Sequence, residues 1–265
     1  PRVRLLEQFI PRLENTWFLG DAFPRFWPNY GPGVCAAFAG ARVRPAWDTT
    51  WFLPAREEPI TSLHVKVDRE NPWWLRVEEM TRLAVNLWGN HLAVGFTDLG
   101  GNLDILAALR GTKQLLIDLR REPAEVERLV GEITSLWLEC YEQILSVVAP
   151  AERGITCWGP LWSPAGGYML QSDFAYMISP GMFTRFVLPD LEACCSRMAC
   201  VRPCAVVQQC AAPPYQPCLL DQRPAAPAIA LLSTLFIVRL QRAIRQPGPT
   251  QYSLESAALL RRSSA

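Results

Sequence analysis

Between Pro123 and Val148 the apolar residues fall at Val126, Leu129, Val130, Ile133, Leu136, Trp137, Cys140, Tyr141, Ile144, Leu145 and Val148. Spacings of three and four sustained for about seven turns predict one long helix with a single apolar face laid on a sheet. A second helix is marked by its start: Asn71 is a capping side chain, Pro72 suits the first helical position, and the pattern runs to about Trp88 before Gly89–Asn90, a left-handed stop signal. His91–Thr97 is a short apolar run of the kind buried in a parallel sheet, and Gly154–Trp158 reads as another strand. Leu103–Leu109 is helical and ends at Gly111, and Pro180–Cys195 reads as a further amphipathic helix. Before these, Leu5–Leu13 is a short helix or turn, Phe23–Tyr30 a loop leaving a strand, Gly31–Pro32–Gly33 the opening of a short helix through Phe38, and Trp47–Leu53 a strand-type run.

Helix and strand therefore alternate, which predicts an α/β fold with parallel strands and crossover helices. This periodicity fits a closed barrel and a doubly wound sheet equally. The absence of Gly-x-Gly-x-x-Gly after any strand disfavours a dinucleotide fold.

Composition adds a boundary. The chain has 265 residues, half of them hydrophobic, 19% charged and a net charge of +1. That length suits one barrel, which takes about 250 residues. Residues 1–196 hold 18 basic and 23 acidic residues, whereas residues 197–265 hold eight Arg, no Lys, and only Asp221 and Glu255 as acids. Both His and all ten Trp lie in the first part, and six of nine Cys crowd between Cys194 and Cys218. The expected division is a globular unit over 1–196 and a divergent tail over 197–265. Arg without Lys, with abundant Ala, Pro and Cys, is what a GC-rich coding region gives when translated out of frame; a divergent or disordered tail is the other reading. The tail's arginines are scattered without interleaved aromatics, which argues against nucleic acid. Its apolar run Ala228–Val238 is about half a membrane span, which argues against a membrane partner. The start at Pro1 reads as a truncation with no cleavable leader. The cysteines then read as reduced thiols of a cytoplasmic protein.

Three segments carry a resemblance. They are VGFTDLGGNLDILAALRGTKQLLIDLRREPAEVERLVGEIT (Val94–Thr134), LQSDFAYMISPGMFTRFVLPDLE (Leu170–Glu192) and FPRFWPNYGPGVCAAFAGA (Phe23–Ala41). Together they resemble the uroporphyrinogen decarboxylase superfamily, which also contains corrinoid-dependent methyltransferases. The most specific signal is the loop containing Ser172 and Asp173 followed by Ser179–Pro180, Phe183, Phe186 and Pro189. The resemblance implies a (β/α)8 TIM barrel, incomplete here, with its site on the loops after the strand C-termini. It implies a cofactor-free carboxy-lyase acting on a tetrapyrrole or other carboxylated small molecule, in which a desolvated carboxylate steadies a protonated ring. Corrinoid-linked methyl transfer is the alternative, and a non-catalytic truncated remnant the third. The chain departs from the biosynthetic decarboxylases at several points. It lacks their arginine-rich first loop and has Ala107 where they place a Tyr. It has Asp173 in place of their Ser, and it carries no His after His91.

The expected catalytic residues are Asp173 and Asp98, both on loops after strands. Asp173 serves as acid or base, or anchors a cationic or amine-bearing substrate; the plainer reading is a turn cap. Asp104 belongs to the substrate set, with a helix-dipole role as the alternative. Asn29 and Arg25 in the aromatic loop, Tyr176 beside Asp173, and Trp158 after a strand complete the substrate-binding set. Trp158, Trp162 and Tyr168 read as packing as readily as a pocket wall. His91 reads as structural, and His64 as solvated on an exposed strand. Neither is followed by x-Cys, and the tail holds no Cys-x-x-Cys, so no metal site and no cofactor are expected. The expected partner is a small molecule; the sequence does not set the oligomeric state.

Overall fold

A computed structural model describes residues 7–66, 68–149, 154–164, 167–198, 205–208 and 229–231. In chain order the elements are α1 (Ile10–Glu14), β1 (Arg25–Phe26), α2 (Cys35–Phe38), β2 (Arg42–Pro45), β3 (Thr50–Leu53), α3 (Pro72–Trp88), β4 (Ala93–Gly95), α4 (Asn102–Arg110), α5 (Thr112–Arg121) and α6 (Pro123–Val148). There follow β5 (Ile155–Thr156), β6 (Trp162–Ser163), β7 (Tyr168–Gln171), α7 (Pro180–Phe186), α8 (Leu188–Met198), β8 (Ala205–Gln208) and β9 (Ile229–Leu231). Short 3-10 turns cover Ile60–Ser62 and Asp173–Met177.

The α/β alternation is present. Strands β1, β4 and β5 run parallel as neighbours, with β6 added antiparallel, and β7, β8 and β9 form a second parallel block. Among the described residues no ladder joins β6 to β7 or β9 back to β1, so a closed eight-stranded barrel is not formed by them. Side chains link the blocks instead: the Trp158 indole, just past β5, donates to the Met169 carbonyl of β7 at 3.2 Å. The Arg25 guanidinium reaches across β4 to donate to the carbonyls of Cys157, Trp158 and Gly159 at 2.8, 3.3 and 3.4 Å.

The core is built on α6. All the residues of its predicted stripe are buried except Leu145, which is half-buried, and Val147 joins them. Phe96, Tyr141 and Trp137 stack in sequence at 4.8 and 5.5 Å, and Tyr168 meets each of the three edge-on. The start of α3 is as expected: Asn71 accepts from Trp73 N at 2.9 Å and Trp74 N at 3.3 Å, while its amide donates to the Ala37 and Phe38 carbonyls.

Several expectations are corrected. Gly89 itself closes α3 in right-handed geometry (φ −55°), and the chain turns after it with His91 N and Leu92 N both donating to the Trp88 carbonyl. The Phe23–Tyr30 loop contains β1 itself. Thr50–Leu53 is paired antiparallel with Arg42–Pro45 in an unforeseen hairpin, and Trp47 stands exposed at its tip. The segment after Gly111 is helix α5, and Pro180–Cys195 is two helices. His64 lies on no strand; it follows a 3-10 turn and contacts Arg128 on α6 at 3.2 Å. Leu5 and Leu6 fall outside the described residues, as does most of 197–265. No helix among the described residues is long and apolar enough to cross a membrane.

Candidate functional site

Three of the expected residues meet at the C-terminal ends of β4 and β7. Asp98 sits three residues beyond β4, Asp104 in the first turn of α4, and Asp173 two residues beyond β7. The loop between β4 and α4 is tied by backbone hydrogen bonds to three other segments. Tyr168 Oη accepts from Leu99 N at 2.6 Å and donates to the Thr97 carbonyl at 3.3 Å. Trp137 Nε1 donates to the Gly100 carbonyl at 3.0 Å, and Val34 N donates to the Asp98 carbonyl at 2.9 Å. Gly100 takes φ 85° with Gly33 packed directly against it, so a Cβ there would lie 2.6 Å from Gly33 Cα. Only glycine satisfies both demands.

Asp98 is 6% exposed and accepts from Gly100 N at 3.0 Å. Burial, the largest influence, raises its pKa to about 7, and the charge of Asp173 pushes the same way; the backbone N–H groups of Gly33 and Gly100 and the Gln171 amide oppose it. Asp104 accepts from Asp173 N at 3.1 Å and Phe174 N at 2.7 Å. Its pKa is raised to about 7, again mainly by burial and then by Asp173, with Asp98 adding a smaller push. Asp104 thus caps the 3-10 turn that presents Asp173, a role distinct from the dipole contact expected within its own helix. Asp173 and Tyr176 are exposed at this rim.

Three buried polar atoms at these strand ends have no hydrogen-bond partner among the described residues: Thr97 Oγ1, Thr156 Oγ1 and Gln171 Oε1. They belong to the C-terminal ends of β4, β5 and β7, and their residues are 0%, 1% and 7% exposed. Buried polar groups are rarely left unpaired, so each of these atoms keeps a hydrogen bond to offer to an ordered water or a ligand group. Sequence reasoning missed Gln171, and also Trp137, whose helical spacing marked it only as core.

Arg25 and Asn29 stand apart from the carboxyls. They line a cavity of about 670 Å3 walled by Phe9, Phe18, Phe26, Trp27 and Tyr30, and none of the three aspartates lines it. Asn29 Oδ1 accepts from Gly31 N at 3.1 Å, a local turn. Arg25 is occupied by its three carbonyls, with its pKa lowered by desolvation. Trp158 is half-buried and engaged with Met169. Tyr168 is fully buried, whereas Trp162 is 53% exposed. Among the described residues no three His, Cys, Asp or Glu side chains converge as metal ligands. His91 lies at the start of β4, the end opposite the carboxyls.

A further buried carboxyl ties the start of α4 to α6 and α8. Asp190 on α8 accepts from Asn102 Nδ2 at the start of α4 and from Thr134 Oγ1 on α6 at 2.9 Å. Burial raises its pKa to about 6.

No protein-family model matches this chain, and no curated protein matches it. In fold it is similar to a methyltransferase from Methanosarcina mazei, with a TM-score of 0.53 and 13% sequence identity over 78% of this chain and 54% of that one. The chain thus spans about half the length of that protein. The likeness establishes a shared fold.

Proposed function

We propose that the chain is a methyl-transfer enzyme acting on a small molecule held over the C-terminal ends of β4, β5 and β7, with the aspartate cluster taking the proton of the methyl acceptor. The observation that carries this reading is the meeting of Asp98, Asp104 and Asp173, from three separate segments, with Asp173 close enough to push up the pKa of both Asp98 and Asp104. A carboxyl titrating near 7 is well matched to proton transfer at neutral pH. The fold likeness to a methyltransferase favours methyl transfer over the decarboxylation implied by the sequence resemblance.

In the transfer, a bond forms between the acceptor atom and the methyl carbon while the bond from that carbon to its donor breaks, its electron pair staying on the donor. The acceptor's proton passes to Asp173 or Asp98. Asp104 positions Asp173 through the two N–H groups it holds. The zinc used by the methyltransferase branch that the sequence resembles does not fit the described residues, which offer no converging ligand set. The barrel that the fold would complete needs strands beyond the six parallel ones described here.

Decarboxylation remains the second reading, because a desolvated carboxyl such as Asp98 is the group that would steady a protonated pyrrole. Methylcobalamin supplied with simple thiols and amines separates the two. The expected result is loss of the methyl–cobalt absorbance at a rate that falls about 100-fold or more in Asp173→Asn. Inert methylcobalamin, with uroporphyrinogen converted to coproporphyrinogen, would establish the second reading instead. Inertness toward both would leave the non-catalytic remnant.

A further inference from the structure

We infer that this chain pairs with a second copy of itself across the cavity between α1, β1 and α3, the Trp17 indole of each copy seated in the aromatic cavity of the other. The inference is independent of the reaction proposed above, since none of the three aspartates lines that cavity.

The cavity is a socket shaped for an aromatic side chain. Its volume is about 670 Å3, and six rings wall it: Phe9, Phe18, Phe23, Phe26, Trp27 and Tyr30. No acidic side chain lines it, whereas Arg12, exposed at its edge, offers a guanidinium over which an indole can lie. A buried indole also needs an acceptor for its N–H. Asn29 Oδ1, which lines the cavity and accepts from Gly31 N, has a second lone pair for it. Both residues of β1 lie in the wall, and β1 is the terminal strand of its block, an edge that proteins ordinarily cover.

The plug stands at the rim of the same cavity. Thr16 and Phe18 both line it, so Trp17 between them lies at its border, yet Trp17 is 88% exposed and Leu19 75% exposed. Phe18 turns into the cavity of its own chain while its two neighbours turn away from it. Large apolar side chains this bare beside an aromatic hollow mark a surface that meets a partner.

Plug and socket on one patch select a second copy as that partner. A two-fold axis through the rim places each Trp17 over the other copy's cavity, makes every contact twice and closes the assembly at two chains. One seated Trp removes about 200 Å2 from water and covers a comparable area of wall. Doubled by symmetry, this gives about 800 Å2 before Leu19 and the surrounding rim are counted, within reach of the roughly 1,200 Å2 at which specific interfaces begin.

The test is sedimentation equilibrium of the full chain between about 1 and 100 μM. The expected mass at the upper end is twice the chain's 29.8 kDa. Each Trp anchor at the hot-spot threshold is worth about 30-fold in affinity, and Trp17→Ser removes two per dimer, so dissociation should strengthen several hundred-fold and leave a monomer. Trp47→Ser, which removes an equally bare indole outside the cavity, should leave the dimer intact. The fluorescence difference between the unmodified chain and Trp17→Phe, which isolates this one indole, should shift to the blue as the dimer forms. A chain that is monomeric over the whole range, a dimer unaffected by Trp17→Ser, or one weakened as much by Trp47→Ser would overturn the inference. So would a Trp17→Ser monomer that has lost its helical circular dichroism, because Trp17 would then be holding its own chain together.

Discussion

Asp98, Asp104 and Asp190 are carboxyls that the fold keeps partly protonated near neutrality, and this has a consequence for stability. Each folded pKa lies above the ordinary carboxylate value, so the folded state binds more protons than the unfolded one. Their contribution is fully present below about pH 4 and is lost as pH rises through about 6 to 7. The melting temperature is therefore expected to fall between pH 5 and pH 8. Asp98→Asn, which keeps an acceptor oxygen for Gly100 N, should flatten that slope; a melting curve for it that tracks the unmodified chain across this range would contradict the assignment. Asp98, Asp104 and Asp173 stand out in the sequence because loops following apolar runs are expected to carry the chemistry; Asp190, within a helix, does not. Neither does Gln171, since an amide at a strand end carries no local signal until its neighbours are known. Arg25 and Asn29 were placed in the substrate set by resemblance. In the fold, one caps carbonyls and the other closes a turn.

At the level of elements, sequence periodicity was most informative where an element is long. The stripe on α6 and the cap of α3 both came through because each has many turns over which a pattern accumulates. Strands of two to four residues carry too few positions for alternation to show, and the β2–β3 hairpin was hidden behind Arg42, Arg44 and Pro45. Pro189 was read within one helix. Lacking an N–H, it instead sits in the first turn of α8 just after α7 has ended. Asn71 joins both kinds of information, since it caps α3 and also holds the end of α2 through Ala37 and Phe38. Asn71→Ala should cost about 2 to 3 kcal/mol, combining the lost cap with buried carbonyls left unpaired. Urea denaturation would read this as a lower midpoint at unchanged slope. A loss under about 0.5 kcal/mol would mean that the α2–α3 junction is held by other contacts.

Across the whole molecule, two blocks of parallel strands share one aromatic core, and the strand ends of both contribute to one polar mouth. Asp98 comes from the first block and Asp173 from the second, so a measured electrostatic link between them would report that the blocks are assembled as described. The resemblance in sequence pointed to this meeting of loops. The strand order that produces it was beyond periodicity, which fits an open sheet as well as a barrel. The central claim is that these carboxyls form one coupled, proton-handling site, and carbon-13 NMR titration of aspartate side-chain carboxyls tests it most directly. The expected spectrum contains two aspartates, Asp98 and Asp104, with midpoints near 7, and both midpoints move down when Asp173 is changed to Asn. Midpoints near 4 for both, unmoved by that substitution, would contradict it.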